Sequence, residues 1–305
     1  MSKLVAVLGP TASGKTSLSV KLAYKYKTEI ISADSRQIYR GMDIGTGKDL
    51  DEYNINKVSI PYHLIDILNP SENYSVYDYK NDFLEVYNTI NKKNKVPILS
   101  GGTGLYIESI LLNYQMNDTP PDIPLRNKLQ NKSLEQLQNE MKSNFNNSYD
   151  ASYHTTKRRI IRTMEILLTN NQNVNHLVDT GHIEYIVFGI DVDREKLLKK
   201  IKSRLEARLN DGMIDEVRHL IDRGLTLDRL RYFGLEYKFI GEYLFNKISY
   251  DSMKEKLNFG INKFSKRQMT FFRRMQKRGI NIKWVNADDF SLICEHIEKF
   301  FENEF

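Results

Sequence analysis

The sequence lacks several features, and each absence excludes a class of protein. Its 305 residues include a single cysteine, Cys294, so neither an internal disulfide nor a cysteine metal cluster can form within the chain. No apolar run approaches the ~18 residues that a membrane-spanning helix needs. The apolar N-terminal stretch leads into glycine rather than a small-residue cleavage site. We therefore expect a cytoplasmic protein without a signal peptide and without a membrane partner.

Histidine is also scarce. The six histidines show no metal-ligand spacing, which argues against a zinc site. What remains is an ordinary globular composition, with 40% hydrophobic and 28% charged residues. A chain of this length is sufficient for one large domain with a hydrophobic core and a smaller second one.

Positive charge is concentrated near the C-terminal end. Residues 254–283 contain ten lysines or arginines and one acid, a local charge of +9, although the whole chain carries only +6. Such a patch is typical of a surface that binds a polyanion, and a solvated helix face is an equally good interpretation. Three aromatic residues, Phe264, Phe271 and Phe272, are interleaved with this charge. Their spacing favours packing against a core over stacking on bases.

Alternating strands and helices predict the α/β fold class. Buried strands are expected at Lys3–Leu8, Glu29–Ser32 and Val96–Ser100, and each leads into a loop. A further buried strand at Glu184–Asp191 returns the chain to the same sheet. This repetition is typical of a parallel sheet with flanking helices, whose sites lie at the carboxyl ends of the strands.

Residues 113–150 differ in character from the rest of the chain. Three prolines, Pro120, Pro121 and Pro124, precede a helical stretch that is rich in asparagine and glutamine. We predict an inserted helical subdomain at about 113–150. Residues 1–112 and about 151–305, which include a basic helix near Tyr153–Leu168, are then the catalytic core and its C-terminal basic helices.

The segment "GPTASGKT" matches the pattern G-x-x-x-x-G-K-[ST] through Gly9, Gly14, Lys15 and Thr16. It follows a predicted strand and opens a predicted helix, which is the context that a phosphate-cradling loop requires. Backbone N–H groups and the helix N-terminus attract phosphate, the lysine adds a full charge, and the threonine hydroxyl can bind Mg²⁺. The motif predicts a di- or triphosphate ligand without saying which one.

A phosphate-loop enzyme also needs an acid, and Asp34 and Asp191 both follow predicted strands. The segment "GGTG", residues 101–104, adds a second close-approach loop. A kinase of a nucleotide or small metabolite therefore stays open, as does a non-catalytic RNA-binding protein. The basic region argues against the kinase, and Asp34 with "GGTG" argues against the second alternative. Taken alone, Asp34 and Thr103 could also be helix N-caps.

Seven motifs occur in the order found in tRNA dimethylallyltransferases, or tRNA isopentenyltransferases, which the sequence resembles over nearly its whole length. They are "GPTASGKT", "SADSRQIYRGMDIGTGK", "YHLIDI", "GGTGLY", "RRIIRTMEI", "RLEARLNDGMIDEV" and "KRQMTFFRR". The resemblance implies a P-loop kinase-like fold. It also implies transfer of a dimethylallyl group from dimethylallyl diphosphate to the exocyclic amine of the adenosine 3′-adjacent to the tRNA anticodon, with release of diphosphate.

The resemblance further implies roles for individual residues. Asp34 is similar to the general base that takes a proton from the adenine amine, and Thr103 to a hydroxyl beside the reacting adenosine. Thr16 would hold Mg²⁺, the implied cofactor. The implied diphosphate-binding residues are Gly9, Pro10, Thr11, Ala12, Ser13, Gly14, Lys15, Thr16 and Arg204.

The implied partners are dimethylallyl diphosphate and the anticodon stem-loop of a tRNA, which the resemblance implies is bound by the inserted subdomain at about 113–150. We expect the enzyme to be a monomer. Arg208 departs from the family pattern, in which methionine is common. The zinc module of eukaryotic members is absent from the sequence, which favours a bacterial-type enzyme. The implied tRNA contacts are Asp34, Ser35, Arg36, Gln37, Thr103, Arg126, Arg158, Arg159 and Arg162.

Overall fold

The computed structural model describes residues 2–116, 119–169 and 179–302. The chain divides into two compact units. We call Met1–Tyr114 together with Thr180–Phe305 the core unit, and Gln115–Asp179 the insert unit. In the described ranges, no helix is both long and apolar enough to cross a membrane.

The strands all belong to the core unit within the described residues. They are β1 (Lys3–Leu8), β2 (Ile30–Ser32), β3 (Asn54–Ile55), β4 (Val58–Ser59), β5 (Tyr62–His63), β6 (Ile98–Gly101), β7 (Glu184–Ile190) and β8 (Ile282–Val285). The main sheet has the order β5-β2-β6-β1-β7-β8, and each neighbouring pair is parallel. Strands β3 and β4 form a separate antiparallel hairpin. The α/β prediction is confirmed.

The helices follow in chain order, with short 3₁₀ turns at Leu50–Tyr53 and Asn146–Ser148. They are α1 (Lys15–Lys25), α2 (Val76–Asn91), α3 (Gly104–Leu111), α4 (Ile123–Gln130), α5 (Leu134–Asn144), α6 (Lys157–Thr169), α7 (Arg194–Asn210), α8 (Met213–Asp222), α9 (Leu227–Tyr232), α10 (Leu235–Leu244), α11 (Tyr250–Lys277) and α12 (Phe290–Glu302).

Strand β1 shows why the sheet is covered on both faces. Side chains alternate along a strand, so Leu4 and Leu8 point to one face while Val5 and Val7 point to the other. The first face packs against α2, α3 and α11, and the second packs against α1 and α12. Because both faces are buried, the carboxyl edge of the sheet is left to form a site.

A second layer of helices supports the segment that follows β2. Ile38, Tyr39 and Met42 are buried in an apolar cluster formed largely by α7, α8, α10 and α11. The segment leaves the sheet after Ser32 and is then held by its apolar residues. Its polar residues, beginning with Asp34, are consequently kept at the carboxyl edge.

The insert unit has its own core. Leu129 of α4 and Met141 of α5 pack against Ile160 and Met164 of α6. The prediction that the insert ends at about residue 150, with the following basic helix in the catalytic core, is therefore wrong. Helix α6 buries its apolar face inside the insert unit, which extends to Asp179.

Candidate active site

The phosphate loop lies between β1 and α1, as its sequence predicts. Ala12 and Gly14 adopt positive φ angles of 62° and 88°, and the Ser13 N–H donates to the Pro10 carbonyl at 3.3 Å. A Cβ on Gly9 would come within 2.6 Å of the Ser13 Oγ. The loop is thus curled tightly enough to turn its backbone around a phosphate at the N-terminus of a helix.

Lys15 begins α1 and lies among charged groups. Burial lowers the pKa of its ammonium group to about 8, while nearby Asp34 raises this pKa and nearby Arg204 lowers it. Three predicted site residues therefore lie within electrostatic reach of one another. The amine also lies 3.5 Å from the Pro10 carbonyl oxygen, at the limit of a hydrogen bond.

The order of the strands brings the "GGTG" loop between the phosphate loop and Asp34. Strand β6 pairs with β1 on one side and with β2 on the other. A Cβ on Gly101 would lie 2.2 Å from the Ala33 carbonyl oxygen, so a glycine is required for this close approach. The Thr103 N–H donates to the same carbonyl at 3.0 Å. The two loops are therefore joined through their backbones.

Thr103 also joins these loops through its side chain. Its Oγ1 accepts the Ser35 N–H at 3.0 Å and lies 3.3 Å from the Ser35 Oγ. The residue stands at the N-cap position of α3, but its side chain makes no capping hydrogen bond. Thr103 is therefore the N-cap of α3 by position, as its sequence context suggested, but its hydroxyl is used toward the loop after β2.

Asp34 caps a turn rather than a helix. Its Oδ1 accepts the Arg36 N–H at 3.0 Å. The Oδ2 atom has no hydrogen-bond partner within the described part of the chain, so this oxygen is available to a substrate proton. The N-cap interpretation is wrong for Asp34, since the next helical element after β2 is the 3₁₀ turn that begins at Leu50.

Gln268 connects the phosphate loop to the "GGTG" loop. Its Oε1 accepts the Thr11 N–H at 3.0 Å, and its Nε2 donates to the Gly102 carbonyl at 2.9 Å. The residue belongs to the motif "KRQMTFFRR", which sequence reasoning interpreted only through its charge and its aromatics. A polar residue on the buried side of a basic helix is the signal that was available.

Arg204 and Arg208 lie one turn apart on α7 and both form ion pairs with Asp49, at 3.3 Å for Arg208. Their guanidinium groups lie against Gly47, where a Cβ would clash with both. Sequence reasoning named Arg204 but treated Arg208 only as a departure from the family pattern. The i, i+4 spacing was the missed signal, because it places both arginines on one helix face.

Two carboxyl groups near these cations were also missed. Burial raises the pKa of Glu52, and so does Asp49, while Arg204 and Lys15 act in the opposite direction. Burial likewise raises the pKa of Glu236, at the start of α10, against the influence of Arg208. The site therefore places carboxyl groups beside three cations, Lys15, Arg204 and Arg208, which are the groups able to attract a polyanionic ligand.

The segment at residues 43–45 is anchored by a single carboxylate. Glu216 of α8 accepts the backbone N–H groups of Asp43 and Ile44 at 2.7 Å each and that of Gly45 at 3.0 Å. The Tyr237 hydroxyl donates to the same carboxylate at 2.7 Å. This places three consecutive backbone donors on one side chain, a contact that joins residues more than 170 positions apart.

The residues expected to contact tRNA divide into two groups. In the core unit, the Gln37 side chain donates to the Gly47 carbonyl at 3.0 Å, and Arg36 lies 5.3 Å above the ring of Tyr232. Both are thus already engaged in shaping the loop. Contact with tRNA stays a prediction for Arg36, Gln37 and Ser35.

In the insert unit, two of the four arginines hold the unit together. Arg126 forms two hydrogen bonds, of 2.6 and 2.8 Å, with the fully buried carboxylate of Glu165. Arg162 contacts the same carboxylate at 3.3 Å. Arg159 stacks on Tyr153, whereas Arg158 is exposed and makes no side-chain hydrogen bond or ion pair within the described ranges. Contact with tRNA stays a prediction for all four.

Helix α11 carries most of the basic patch. Phe272 is fully buried and Phe271 packs against Gly104, as predicted, but Phe264 is 41% exposed, so the packing prediction is wrong for that residue. It lies on the solvent side of the helix. Arg274 and Arg278 pair with the buried carboxylate of Glu108 at 2.7 and 3.1 Å, which neutralises part of the patch.

Asp191, the second acid considered, lies on the opposite side of the phosphate loop. It follows β7 and lines a cleft of about 290 Å³ together with Ser17, Lys21 and Asn286. Neither Asp34 nor Thr103 lines this cleft. Strands β6 and β1 therefore separate the two candidate acids along the carboxyl edge of the sheet, and of the two only Asp34 follows a strand that pairs with β6.

The parallel sheet, the phosphate loop and the carboxylate after β2 are together typical of a P-loop enzyme. The IPP transferase family model matches residues 37–275, and the isopentenyl transferase model matches residues 2–64. The chain therefore belongs to the IPP transferase family.

Individual relatives agree with this assignment. The chain is 47% identical to tRNA dimethylallyltransferase 2 of Bacteroides fragilis, covering 93% of this chain and 92% of that protein. It is 45% identical to tRNA dimethylallyltransferase 1 of Syntrophus aciditrophicus, covering 98% of each. The resemblance seen in the sequence, to bacterial members of this family, is confirmed.

Solved structures share the fold. The tRNA isopentenylpyrophosphate transferase of Bacillus halodurans is 31% identical, with a TM-score of 0.70 over 99% of this chain and 96% of that one. The Staphylococcus epidermidis enzyme is 30% identical, with a TM-score of 0.68 over the full length of both chains. A eukaryotic dimethylallyltransferase acting on tRNA, at 20% identity and a TM-score of 0.76 over 95% of this chain and 75% of that one, shows the same fold.

Proposed function

We propose that the protein transfers a dimethylallyl group from dimethylallyl diphosphate to the exocyclic amine of the adenosine 3′-adjacent to the anticodon of a tRNA. Diphosphate is released. Relatives named for this activity support the proposal. The observation that carries it is the contact of Thr103 with Ser35, which brings the loop after β6 against the loop carrying Asp34.

The phosphate loop binds the diphosphate end of the donor. Its backbone N–H groups and the N-terminus of α1 face the phosphates, and Lys15 and Arg204 neutralise their charge. Negative charge builds up on the diphosphate as its bond to the allylic carbon breaks. Fixed positive charge at this position therefore stabilises the transition state more than the ground state.

We also propose that Mg²⁺ accompanies the diphosphate. The Thr16 hydroxyl has no hydrogen-bond partner within the described residues, so it is free to act as a ligand. Those residues contain no cluster of three His, Cys, Asp or Glu side chains able to hold a metal. This fits Mg²⁺, which commonly takes one or two protein ligands and completes its shell with phosphate oxygens and water. When bound, Mg²⁺ neutralises charge on the departing diphosphate.

Asp34 acts on the acceptor. An adenine amine is a poor nucleophile because its lone pair is delocalised into the ring. As the nitrogen–carbon bond forms and the carbon–oxygen bond to diphosphate breaks, the amine proton becomes acidic and passes to the free Oδ2 of Asp34. A general base in this position typically contributes about 10²–10⁴-fold in rate.

Thr103 lies beside the residue that receives the proton. Through Ser35 it fixes the turn that carries Asp34, and its hydroxyl hydrogen can turn toward Ser35 or toward the acceptor nucleoside. The target base has to leave the anticodon-loop stack to reach this edge of the sheet, which costs about a few kcal/mol. Polar groups at Ser35, Arg36 and Gln37 would bind the extracted base and its neighbours.

The remaining tRNA contacts are made by positively charged side chains. The exposed Arg158 of the insert unit and the unpaired basic residues of α11 would bind phosphates of the anticodon stem-loop. We expect a monomer to bind one stem-loop, in the cytoplasm where tRNA is found. Binding through phosphates predicts a steep decrease in affinity as the salt concentration rises.

One assay tests the proposal. Purified protein is incubated with labelled dimethylallyl diphosphate, Mg²⁺ and unmodified tRNA, and the label recovered in RNA is measured. Label should appear at the adenosine beside the anticodon, and removing Mg²⁺ with EDTA should abolish it. No label in RNA, together with ATP turnover on a small-molecule acceptor, would support a kinase instead.

A further inference from the structure

Gln268 connects two loops of the candidate site, and the sequence alone did not predict this contact. The residue lies near the middle of α11 and is only 8% exposed. Its carboxamide reaches out of the helix to two backbones, accepting from the Thr11 N–H at 3.0 Å and donating to the Gly102 carbonyl at 2.9 Å. The first backbone belongs to the phosphate loop and the second to the "GGTG" loop.

The chemistry of the contact is specific. A primary amide offers an acceptor and a donor at one end of a side chain, and these match the N–H of one loop and the carbonyl of the other. A methionine of similar length offers neither, and a glutamate offers only acceptors unless it is protonated. Because the site is buried, a lost partner is not readily replaced by water.

The surroundings fix where the carboxamide lies. A Cβ on Gly102 would come within 2.5 Å of the Gln268 Nε2, so the glycine leaves space for the amide. One turn further along α11, Phe271 packs against Gly104 in the same manner. Another turn on, Arg274 pairs with Glu108 of α3 at 2.7 Å. The helix is thus aligned along the loop after β6 and along α3 by three successive contacts.

We propose that Gln268 is a positioning residue for the transfer reaction, an inference that rests on the function proposed above. It holds the loop that binds the donor diphosphate at a fixed distance from the loop that orders the acceptor side. From the "GGTG" loop, the contacts continue through Thr103 to Ser35, which follows Asp34 in the chain. Transfer requires the reacting atoms to be held in near-attack geometry, so a small change in this distance lowers the rate.

The main test compares Gln268→Met with Gln276→Met. Gln276 lies on the same helix and also makes two side-chain hydrogen bonds, with the Ile282 carbonyl at 3.4 Å and the Trp284 Nε1 at 3.0 Å, but it touches neither loop. Gln268→Met should lower kcat about 10- to 100-fold with KM for both substrates within about threefold. Gln276→Met should leave kcat within about twofold, whatever it does to the melting temperature.

A second variant, Gln268→Glu, gives a signature that a merely structural role would not produce. The introduced carboxylate can accept from Thr11 but faces the Gly102 carbonyl oxygen, which it can contact favourably only when protonated. Burial raises the pKa of such a carboxyl. The ratio of variant to wild-type kcat should therefore rise, by up to about tenfold, as the pH falls from about 8 to about 6.

The outcomes separate the two proposals. A folded Gln268→Met variant with wild-type kcat, or a Gln268→Glu to wild-type ratio that is flat with pH, would overturn the positioning role while the wild-type activity stands. A lower melting temperature with unchanged kcat per folded molecule would also overturn it. A wild-type protein that transfers no label would overturn the proposed function and the positioning role together.

Discussion

The backbone N–H of Ser35 donates a 3.0 Å hydrogen bond to the Oγ1 of Thr103. The two residues are 68 positions apart in the chain, and they follow two neighbouring strands of the sheet. Through this bond, the loop that begins at β6 sets the position of the turn that carries Asp34. The Thr103 side chain thus contributes to the site through this hydrogen bond.

Thr103→Val should show how much this hydrogen bond contributes. Valine keeps the shape of threonine but cannot accept the Ser35 N–H, which would then be left without a partner at a cost of about 1–3 kcal/mol. We expect kcat to fall by about 10- to 100-fold, because the Asp34 turn is no longer fixed. Thr103→Ser keeps the hydroxyl and should retain most of the activity; a serine variant as impaired as the valine variant would contradict this account.

Asp34→Asn should separate proton transfer from binding. The amide keeps the size of the carboxylate but cannot take the amine proton, so turnover should fall by about 10²–10⁴-fold. Affinity for tRNA, measured by filter binding, should stay within about threefold of the wild type. Asp228→Asn, at a side chain that is 91% exposed on α9, is the matched control and should change neither quantity. Lost tRNA affinity with unchanged turnover would count against the general-base role.

The pH dependence of donor capture should report on Lys15. Its pKa is about 8, because burial lowers it from the usual 10.5, so the ammonium charge is present below pH 8 and lost above it. The value of kcat/KM for dimethylallyl diphosphate, which reflects the free enzyme, should therefore decrease as the pH rises from about 8 to about 10. Lys15→Arg keeps its charge throughout this range and should lack the decrease. A wild-type profile that is flat to pH 10 would contradict this prediction.

Glu216→Ala should loosen the segment at residues 43–45. Three backbone N–H groups would lose a charged acceptor, and each such hydrogen bond contributes about 1.5–3 kcal/mol. Amide exchange at these residues should accelerate by about 10-fold or more, and KM for dimethylallyl diphosphate should rise because nearby Gly47 lies against Arg204 and Arg208. Glu206→Ala on α7, a half-exposed side chain with one long ion pair, is the control. Unchanged exchange at residues 43–45 would show that Glu216 is not their anchor.

Features encoded in short stretches of sequence were predictable. The phosphate loop requires glycines at fixed spacing, a lysine and a hydroxyl between a strand and a helix, and all of these lie within eight residues. Asp34 could be named as a candidate because it lies two residues after a buried strand. Such local patterns also yielded the α/β class and the parallel sheet, since strand–loop–helix repetition leaves few alternatives.

Local patterns failed where a residue's partner lies far along the chain. The prediction for the amphipathic α6, that it belongs to the catalytic core, was wrong because an apolar stripe does not reveal which surface will cover it. Phe264 looked like its neighbours Phe271 and Phe272, but the helix turns it outward. The same limit explains why Glu236, whose charged neighbour Arg208 lies on another helix, was not named as a candidate for the site.

The sequence by itself determined which chemical groups are available: a phosphate loop, a carboxylate after the second strand and a hydroxyl after the "GGTG" glycines. Only the tertiary structure decided how they meet. Strand β6 is placed between β1 and β2, so Thr103 faces Ser35 and Gly102 receives a hydrogen bond from Gln268. These contacts connect segments 68 and 166 residues apart, and their geometry follows from sheet order and helix packing, which no local periodicity encodes.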